Sequence, residues 1–396
     1  MKNLILFVLL AISAGSFEQE WNENDQFDGG SGRFGMSYFT LEGEAFLMGG
    51  LMQSGVSYIA YDDLQKYDES TDTWELLADY PGGNLYGGFT FVIGNTAYIG
   101  LGANQDGTFN NEVWSFSTID GWNSVSDFPG TLRVFPFSFS TLGNGYIGGG
   151  SSPELLTDLW GYDPITDVWT AKEDYPGGGK VGQVSFSIAD KGYVGLGDDG
   201  SFYYNDFYEY DPLINAWFAK ASFSGVNRSF AARTIADNNG YILGGEDVGG
   251  GFTGDMWKYA PVSNVWSPYF NFTGTPRRNG VLFFLGNTFY YGMGQFGFSD
   301  TQVLGDFWEY QSDIAANLDE DHHATEVPVY PNPFENYFEV ITNTSSKFNI
   351  RVYNTLMQEV YIGNELIINT ADWKPSVYYL QIETDEGIIS KMIVKE

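Results

Sequence analysis

From about residue 20 to residue 310 the chain is a succession of short runs in which apolar and polar residues alternate, each closed by a glycine-rich or acidic turn. Alternation with period two marks a half-buried β-strand. Within residues 88–125 the runs GFTFVIG, TAYIGLG, EVWSFS and GWNSV predict four strands, a to d, joined by short turns. The same order recurs six times, and three landmarks fix the register. A tryptophan is followed six residues later by Phe or Tyr at Trp21/Phe27, Trp74/Tyr80, Trp122/Phe128, Trp169/Tyr175, Trp217/Phe223 and Trp266/Phe272. Strand b ends in a glycine at Gly50, Gly102, Gly150, Gly197, Gly245 and Gly294. An acid stands four residues before an aromatic at Asp63/Tyr67, Glu112/Phe116, Asp158/Tyr162, Asp206/Tyr210, Asp255/Tyr259 and Asp306/Tyr310.

A repeat of about 50 residues holding four antiparallel strands is the size of one propeller blade. The repeat resembles the kelch family through the glycine ending strand b, the aromatic of strand c and the tryptophan of strand d. It departs from that family where Leu101, Leu196 and Met293 replace the first glycine of the usual pair. Six a, b and c strands are present, but the sixth c strand, around Trp308, has no d strand after it. The strand carrying Trp21 is therefore expected to pair with the last blade and close the ring, removing an open edge. The expected fold is all-β: a six-bladed kelch-type propeller over residues 16–310, then a small Ig-like β-sandwich.

The ends carry addresses. Lys2, an apolar run over 4–14, and small residues Ser13 and Gly15 read as a signal peptide over residues 1–15. That run is shorter than the roughly 20 residues a membrane-spanning helix needs, so no transmembrane anchor is expected. Residues 311–327 are polar, acidic and without periodicity, as in a linker. Residues 328–396 alternate again and resemble the type A C-terminal sorting domain of the type IX secretion system. The resemblance rests on Tyr330, Pro331, Asn332 and Pro333, on the runs NIRVYN and VYYL, and on a final strand with Lys391 and Lys395. Met357 and Ser376 stand where that family usually has glycine. The resemblance implies passage through the outer membrane by the type IX machinery, and a product either released or tethered to the cell surface.

Composition narrows the chemistry. The chain carries 51 acids against 18 bases, a net charge of -33, and no cysteine. Such a field repels nucleic acid, and without cysteine there is no thiolate zinc site and no cysteine nucleophile. The two histidines, His322 and His323, are adjacent in the linker and cannot build a three-histidine site. No cofactor and no metal are expected, although calcium on loop carboxylates stays open, and the protein is expected to be a monomer.

In an up-and-down blade the d–a and b–c connections share one face. The b–c loops, over residues 51–63, 103–112, 151–158, 198–206, 246–255 and 295–306, differ among the repeats, which marks this as the candidate functional face. The d–a segments there hold Arg33, Arg133, Lys180, Arg228, Arg277 and Arg278, half of the twelve bases in residues 16–310. The second repeat lacks such a base and has Tyr86 in the corresponding place. A basic ring suits carboxylate or sulfate groups; structural pairing between blades is the competing role. Loop aromatics such as Tyr58, Tyr61, Phe109, Tyr203, Tyr204, Phe252 and Phe298 offer stacking faces for sugars. Asp198, Asp199, Glu246 and Asp247 are candidate acid–base groups or calcium ligands, with solvated turns as the plainer reading, and no catalytic set is assigned.

The function expected is an extracellular or cell-surface binding module for a glycan or a protein. The alternative is a carbohydrate isomerase similar to kelch-fold sialic acid epimerases. The kelch copper oxidases need a cysteine-linked tyrosine and propeller histidines, and the sialidases a Ser-x-Asp-x-Gly-x-Thr-Trp box; the chain has neither.

Overall fold

A computed structural model describes residues 20–24, 27, 32–54, 57–297, 302–312, 314, 329–330, 334–340, 348–354, 358–384 and 387–395. The expected signal peptide, His322, His323 and most of the linker, Phe298, and Pro331, Asn332 and Pro333 lie outside the described residues. Those described form strands and turns, with no helix among them.

Alternation along the runs of the repeat region produces six four-stranded antiparallel sheets. The first contains Ser37–Leu41, Glu44–Met48, Leu64–Asp68 and Thr73–Leu76, strands a to d. Its long b–c loop folds back as a hairpin, Leu51–Ser54 against Ser57–Ala60. In the next four sheets the innermost strands are Phe89–Ile93, Phe137–Thr141, Val184–Ile188 and Ala232–Ala236. The sixth sheet takes Val281–Leu285, Thr288–Gly292 and Phe307–Gln311 from the end of the repeat region, and its outer strand is Trp21–Glu23. Trp21 pairs with Tyr310 and Glu23 with Trp308. The Trp21 indole, 4% exposed, meets Phe272 edge-on at 5.2 Å. Gln311 belongs to this sheet and the Ser312 N–H donates to the Asn287 carbonyl, so ordered pairing runs slightly past residue 310.

Successive inner strands touch one another, and the first touches the last. The glycine that ends each b strand explains the order. Gly50, Gly102, Gly150, Gly197, Gly245 and Gly294 donate their N–H groups to the carbonyls of Leu85, Arg133, Lys180, Arg228, Arg277 and Arg33, at 2.8–3.3 Å. Each bond runs from one sheet to the next, and the last returns to the first. These glycines have φ of 79–109°, left-handed backbone that a Cβ disfavours. At Gly102 a Cβ would also stand 2.6 Å from the Tyr86 carbonyl oxygen. Leu101, Leu196 and Met293, just before three of these glycines, adopt φ of 58–59° with side chains fully buried. Burial there offsets a strain of roughly 1–2 kcal/mol, so loss of the first glycine leaves the close approach intact.

In the tail, Val329–Tyr330, Tyr337–Val340 and Ile367–Asn369 form one sheet; Glu359–Gly363, Phe348–Asn354, Ser376–Thr384 and Gly387–Lys395 form another. They share a core that includes Phe338, Ile350, Val352, Ile368, Leu380 and Ile393. Tyr330 pairs with Glu339 and Lys391 with Leu380 through the backbone. Lys395 is buried, its ammonium donating to the Glu335 carbonyl and lying 5.9 Å from the Phe334 ring centroid. That lysine fastens the last strand to the segment after the proline motif.

Candidate functional site

Five of the six expected d–a cations are buried, a correction to the open basic ring. Arg33, Arg133, Lys180, Arg228 and Arg277 are at most 2% exposed. Each pairs inside its own sheet with the acid that opens strand c: Asp63, Asp158, Asp206, Asp255 and Asp306. In the arginine sheets the guanidinium also donates to a carbonyl at the end of strand b, as Arg228 does to Gly244 at 3.1 Å and Arg277 to Met293 at 3.2 Å. The aromatic six residues after each tryptophan lies beside the charge: Phe27, Phe128, Tyr175, Phe223 and Phe272 are 5.0–5.6 Å away. Two of the sequence landmarks therefore meet on one buried cation. These five groups do not form an open carboxylate or sulfate site, because each is buried and paired with a carboxylate of the protein itself.

The carboxyls register the pairing. Burial pushes Asp158 and Asp255 upward, but hydrogen bonds and charge from Arg133 and Arg228, aided by the Trp160 and Trp257 indoles, outweigh it and hold both below the ordinary carboxylate range. Lys180 differs from the arginines, as its pKa is lowered: burial pulls it down and the Asp206 carboxylate restores only part. In the second sheet the cation position is taken by buried Leu85, not by Tyr86, because the carbonyl that accepts the ring-forming bond is Leu85's.

Tyr86 belongs to the next position, which bridges to the start of the b–c loop and is taken below as the mouth of the ring. Phe34, Tyr86, Val134, Val181, Ser229 and Arg278 bridge to the first residues of the b–c loops: Leu51, Ala103, Ser151, Asp198, Glu246 and Gln295. The d–a and b–c segments thus share a face. Sheets one to three present mostly apolar groups there, and sheets four to six mostly polar ones, Val181 being the exception. One residue further on, Gly35, Gly87, Phe135, Gly182, Phe230 and Asn279 all take φ of 52–66°. Three glycines adopt that backbone freely, whereas Phe135, Phe230 and Asn279 bear its cost. The two phenyl rings meet edge-on at 5.3 Å, and Phe135 reaches across Gly87, so the pair narrows the mouth.

The polar half has its own connections. Glu246, 7% exposed, accepts a hydrogen bond from the Tyr203 hydroxyl at 2.5 Å on Oε1 and pairs with Arg278 through Oε2. Burial raises the Asp198 carboxyl above its ordinary value; Ser229 and the Gly200 N–H counteract, and Glu246 adds to the rise. Burial and the Glu246 hydrogen bond likewise raise Tyr203. Asp198, Glu246 and Arg278 are brought together; Asp199 and Asp247 are not part of the cluster. Asp199 accepts the Ser201 and Phe202 N–H groups and the Tyr204 hydroxyl, and Asp247 accepts the Gly249 and Gly251 N–H groups. Both fold their own loops. Among the described residues, no group of three His, Asp or Glu side chains is placed to hold a metal ion. The sequence reading missed Phe135 and Phe230; a signal was present, since each stands where three other repeats have glycine.

Residues 328–396 match the family described as the secretion system C-terminal sorting domain. The chain is therefore exported by the type IX system, with the tail as the part its machinery recognises, and its destination is outside the cell or at the cell surface. No helix among the described residues is long and apolar enough to cross a membrane. A solved structure described as "Structure of YjhT" superposes with a TM-score of 0.57 at 15% identity, covering 72% of this chain and 96% of that one. At that identity the likeness establishes a β-propeller-like fold and nothing more. No curated protein sequence matches the chain.

Proposed function

We propose that the exported chain is a six-bladed kelch-type propeller, closed by its N-terminal strand, that acts as an extracellular or cell-surface binding module. A glycan or protein ligand is received on the b–c loop face, and the tail, read as an Ig-like sandwich, delivers it. The observation carrying this reading is the contrast around the mouth. Buried cation pairs repeat in five sheets, whereas the mouth residues change from sheet to sheet and divide into an apolar and a polar half. A surface built for recognition has such convergent polar groups beside aromatic ones. Asp198 favours the alternative, an isomerase acting on an acidic sugar, because a carboxyl raised by burial beside Glu246, Tyr203 and Arg278 suits proton transfer. Proton NMR of the mature chain with neutral and acidic glycans separates the readings. Broadened ligand lines without new resonances support a glycan-binding module. Product resonances that grow with time support the enzyme, and unchanged spectra across the panel leave a protein ligand as the form of the proposal to pursue.

A further inference from the structure

The mouth carries exposed apolar groups that the ring's own packing does not cover. Tyr58 and Ile59, in the hairpin of the first b–c loop, are exposed, and so are Phe202, Val226 and Val248 around the fourth and fifth sheets. Rings connect the two groups. Burial and the nearby Tyr58 raise the Tyr86 hydroxyl. The Tyr86 ring lies 6.4 Å from Phe135, Phe135 lies 5.3 Å from Phe230, and Phe230 lies 5.8 Å from the Arg278 guanidinium carbon. Arg278 pairs with Glu246, which accepts the hydroxyl of Tyr203, the residue after Phe202. Single exposed apolar residues need no explanation, whereas a connected set marks an interaction surface. Charge then selects what covers it. The six b–c loops contain fourteen Asp or Glu residues and no Lys, Arg or His. Five of those acids are matched to the buried d–a cations and Glu246 to Arg278. Among the described residues no ion pair engages Asp62, Asp106, Glu154, Asp199 or Asp247. The face left over is anionic and, in a chain of net charge -33, repels an anionic ligand and a second copy of this chain alike.

We infer that the mouth docks a basic segment of another protein, in which Lys or Arg alternates with apolar residues. Its apolar side chains pack on the connected rings and aliphatic groups, and its cations meet the loop carboxylates. The inference rests on the binding-module reading above and narrows it to a protein ligand. The aliphatic groups decide against a sugar: Ile59, Val226 and Val248 have no flat face on which a pyranose stacks, but they pack against apolar side chains. The rings serve cations as well. Tyr61 already lies 3.5 Å from the Arg33 guanidinium carbon, and Phe230 stands beside Arg278. Opposite charge brings the segment to the face and suppresses acidic competitors, while the apolar contacts slow its departure.

Titration calorimetry of the full chain with three end-blocked peptides tests the docking surface: Lys-Phe-Lys-Leu-Lys, Glu-Phe-Glu-Leu-Glu and Lys-Gly-Lys-Gly-Lys. The first is expected to bind one-to-one and to weaken about tenfold or more as salt rises from about 0.01 to about 0.1 M, where the screening length contracts from about 30 to about 10 Å. The glutamate peptide should not bind. The glycine peptide should bind about tenfold more weakly or worse, because it has no apolar side chains to bury. Tyr86→Ala, and Asp199→Asn combined with Asp247→Asn, should each weaken the first peptide several-fold. An asparagine oxygen still accepts the N–H groups that shape these two loops, so the double variant keeps the test available should Tyr86→Ala fail to fold. Asp237→Asn, in the exposed a–b turn of the fifth sheet on the opposite face, should leave the affinity unchanged. Equal binding of the lysine and glutamate peptides, no binding of either, or a loss that Asp237→Asn reproduces in full would overturn the inference. A glycan that binds at the mouth while the lysine peptide does not would overturn it alone and leave the binding module standing; product formed from a glycan would remove both.

Discussion

Arg277 and Arg278 are adjacent in the chain and belong to different regions of the molecule. Arg277 is fully buried, held by Asp306 and beside Phe272, and four other sheets repeat its arrangement. Arg278 is partly exposed at the mouth, held by Glu246 from the neighbouring sheet, and no other sheet has a base there. The lesson is that residue type says little about role in a repeat protein, whereas repeat position says much. Positions the sheets share maintain the ring. Positions at which they differ are available for recognition.

The comparison can be broken most severely at the shared positions. Arg228→Ala leaves Asp255 half-buried without its partner and should cost about 3–5 kcal/mol, read from urea unfolding; a loss below about 1 kcal/mol would return Arg228 to the pool of ligand-binding candidates. Trp21→Ala should cost a similar amount, about 3–5 kcal/mol, by emptying the site between Phe272 and Tyr310. Limited proteolysis should then open the first and sixth sheets before the others. If the N-terminal strand does not close the ring, the cleavage pattern will not change.

Protonation gives a smaller effect with opposite signs in the two regions. Asp158 and Asp255 are held below the ordinary carboxylate value, so their contribution to stability is full above about pH 4 and is lost as pH falls through the folded values. Asp198 is raised, so it opposes folding once pH rises past about 4 toward its folded value, and that cost persists at neutral pH. Asp198→Asn should therefore raise the thermal midpoint at pH 7, with a gain that shrinks as pH nears 4, and Asp255→Asn should lower it at pH 7. A midpoint unaltered by Asp198→Asn would mean that this carboxyl is better hydrated than its position implies. Smallest is Phe135→Gly. Relief of left-handed strain and loss of the ring contact each amount to about 1 kcal/mol, so denaturation should move little, while any ligand that stacks at the mouth should lose affinity at least tenfold.

The repeat was legible because its constraints are local. Backbone at Gly50 and its equivalents must be left-handed, strands must alternate, and the tryptophan-to-aromatic spacing places a ring beside a charge. Arg228 and Asp255 were both visible as landmarks, but 27 residues separate them, and spacing alone does not reveal that they meet. The exchange of Tyr86 for Leu85 has the same origin: a one-residue choice within a turn needs the carbonyl that accepts the ring bond. Of the candidate site, Asp198, Glu246 and Arg278 were named from the sequence; their convergence depends on three sheets arriving at one mouth.

The most direct test of the division between shared and variable positions is the thermal midpoint of Arg277→Gln beside that of Arg278→Gln, measured in the same buffer. The account predicts a fall of roughly 5 °C or more for Arg277→Gln, from loss of a buried pair, and a change of about 2 °C or less for its neighbour at the mouth. Equal losses, or a larger loss at Arg278, would contradict it.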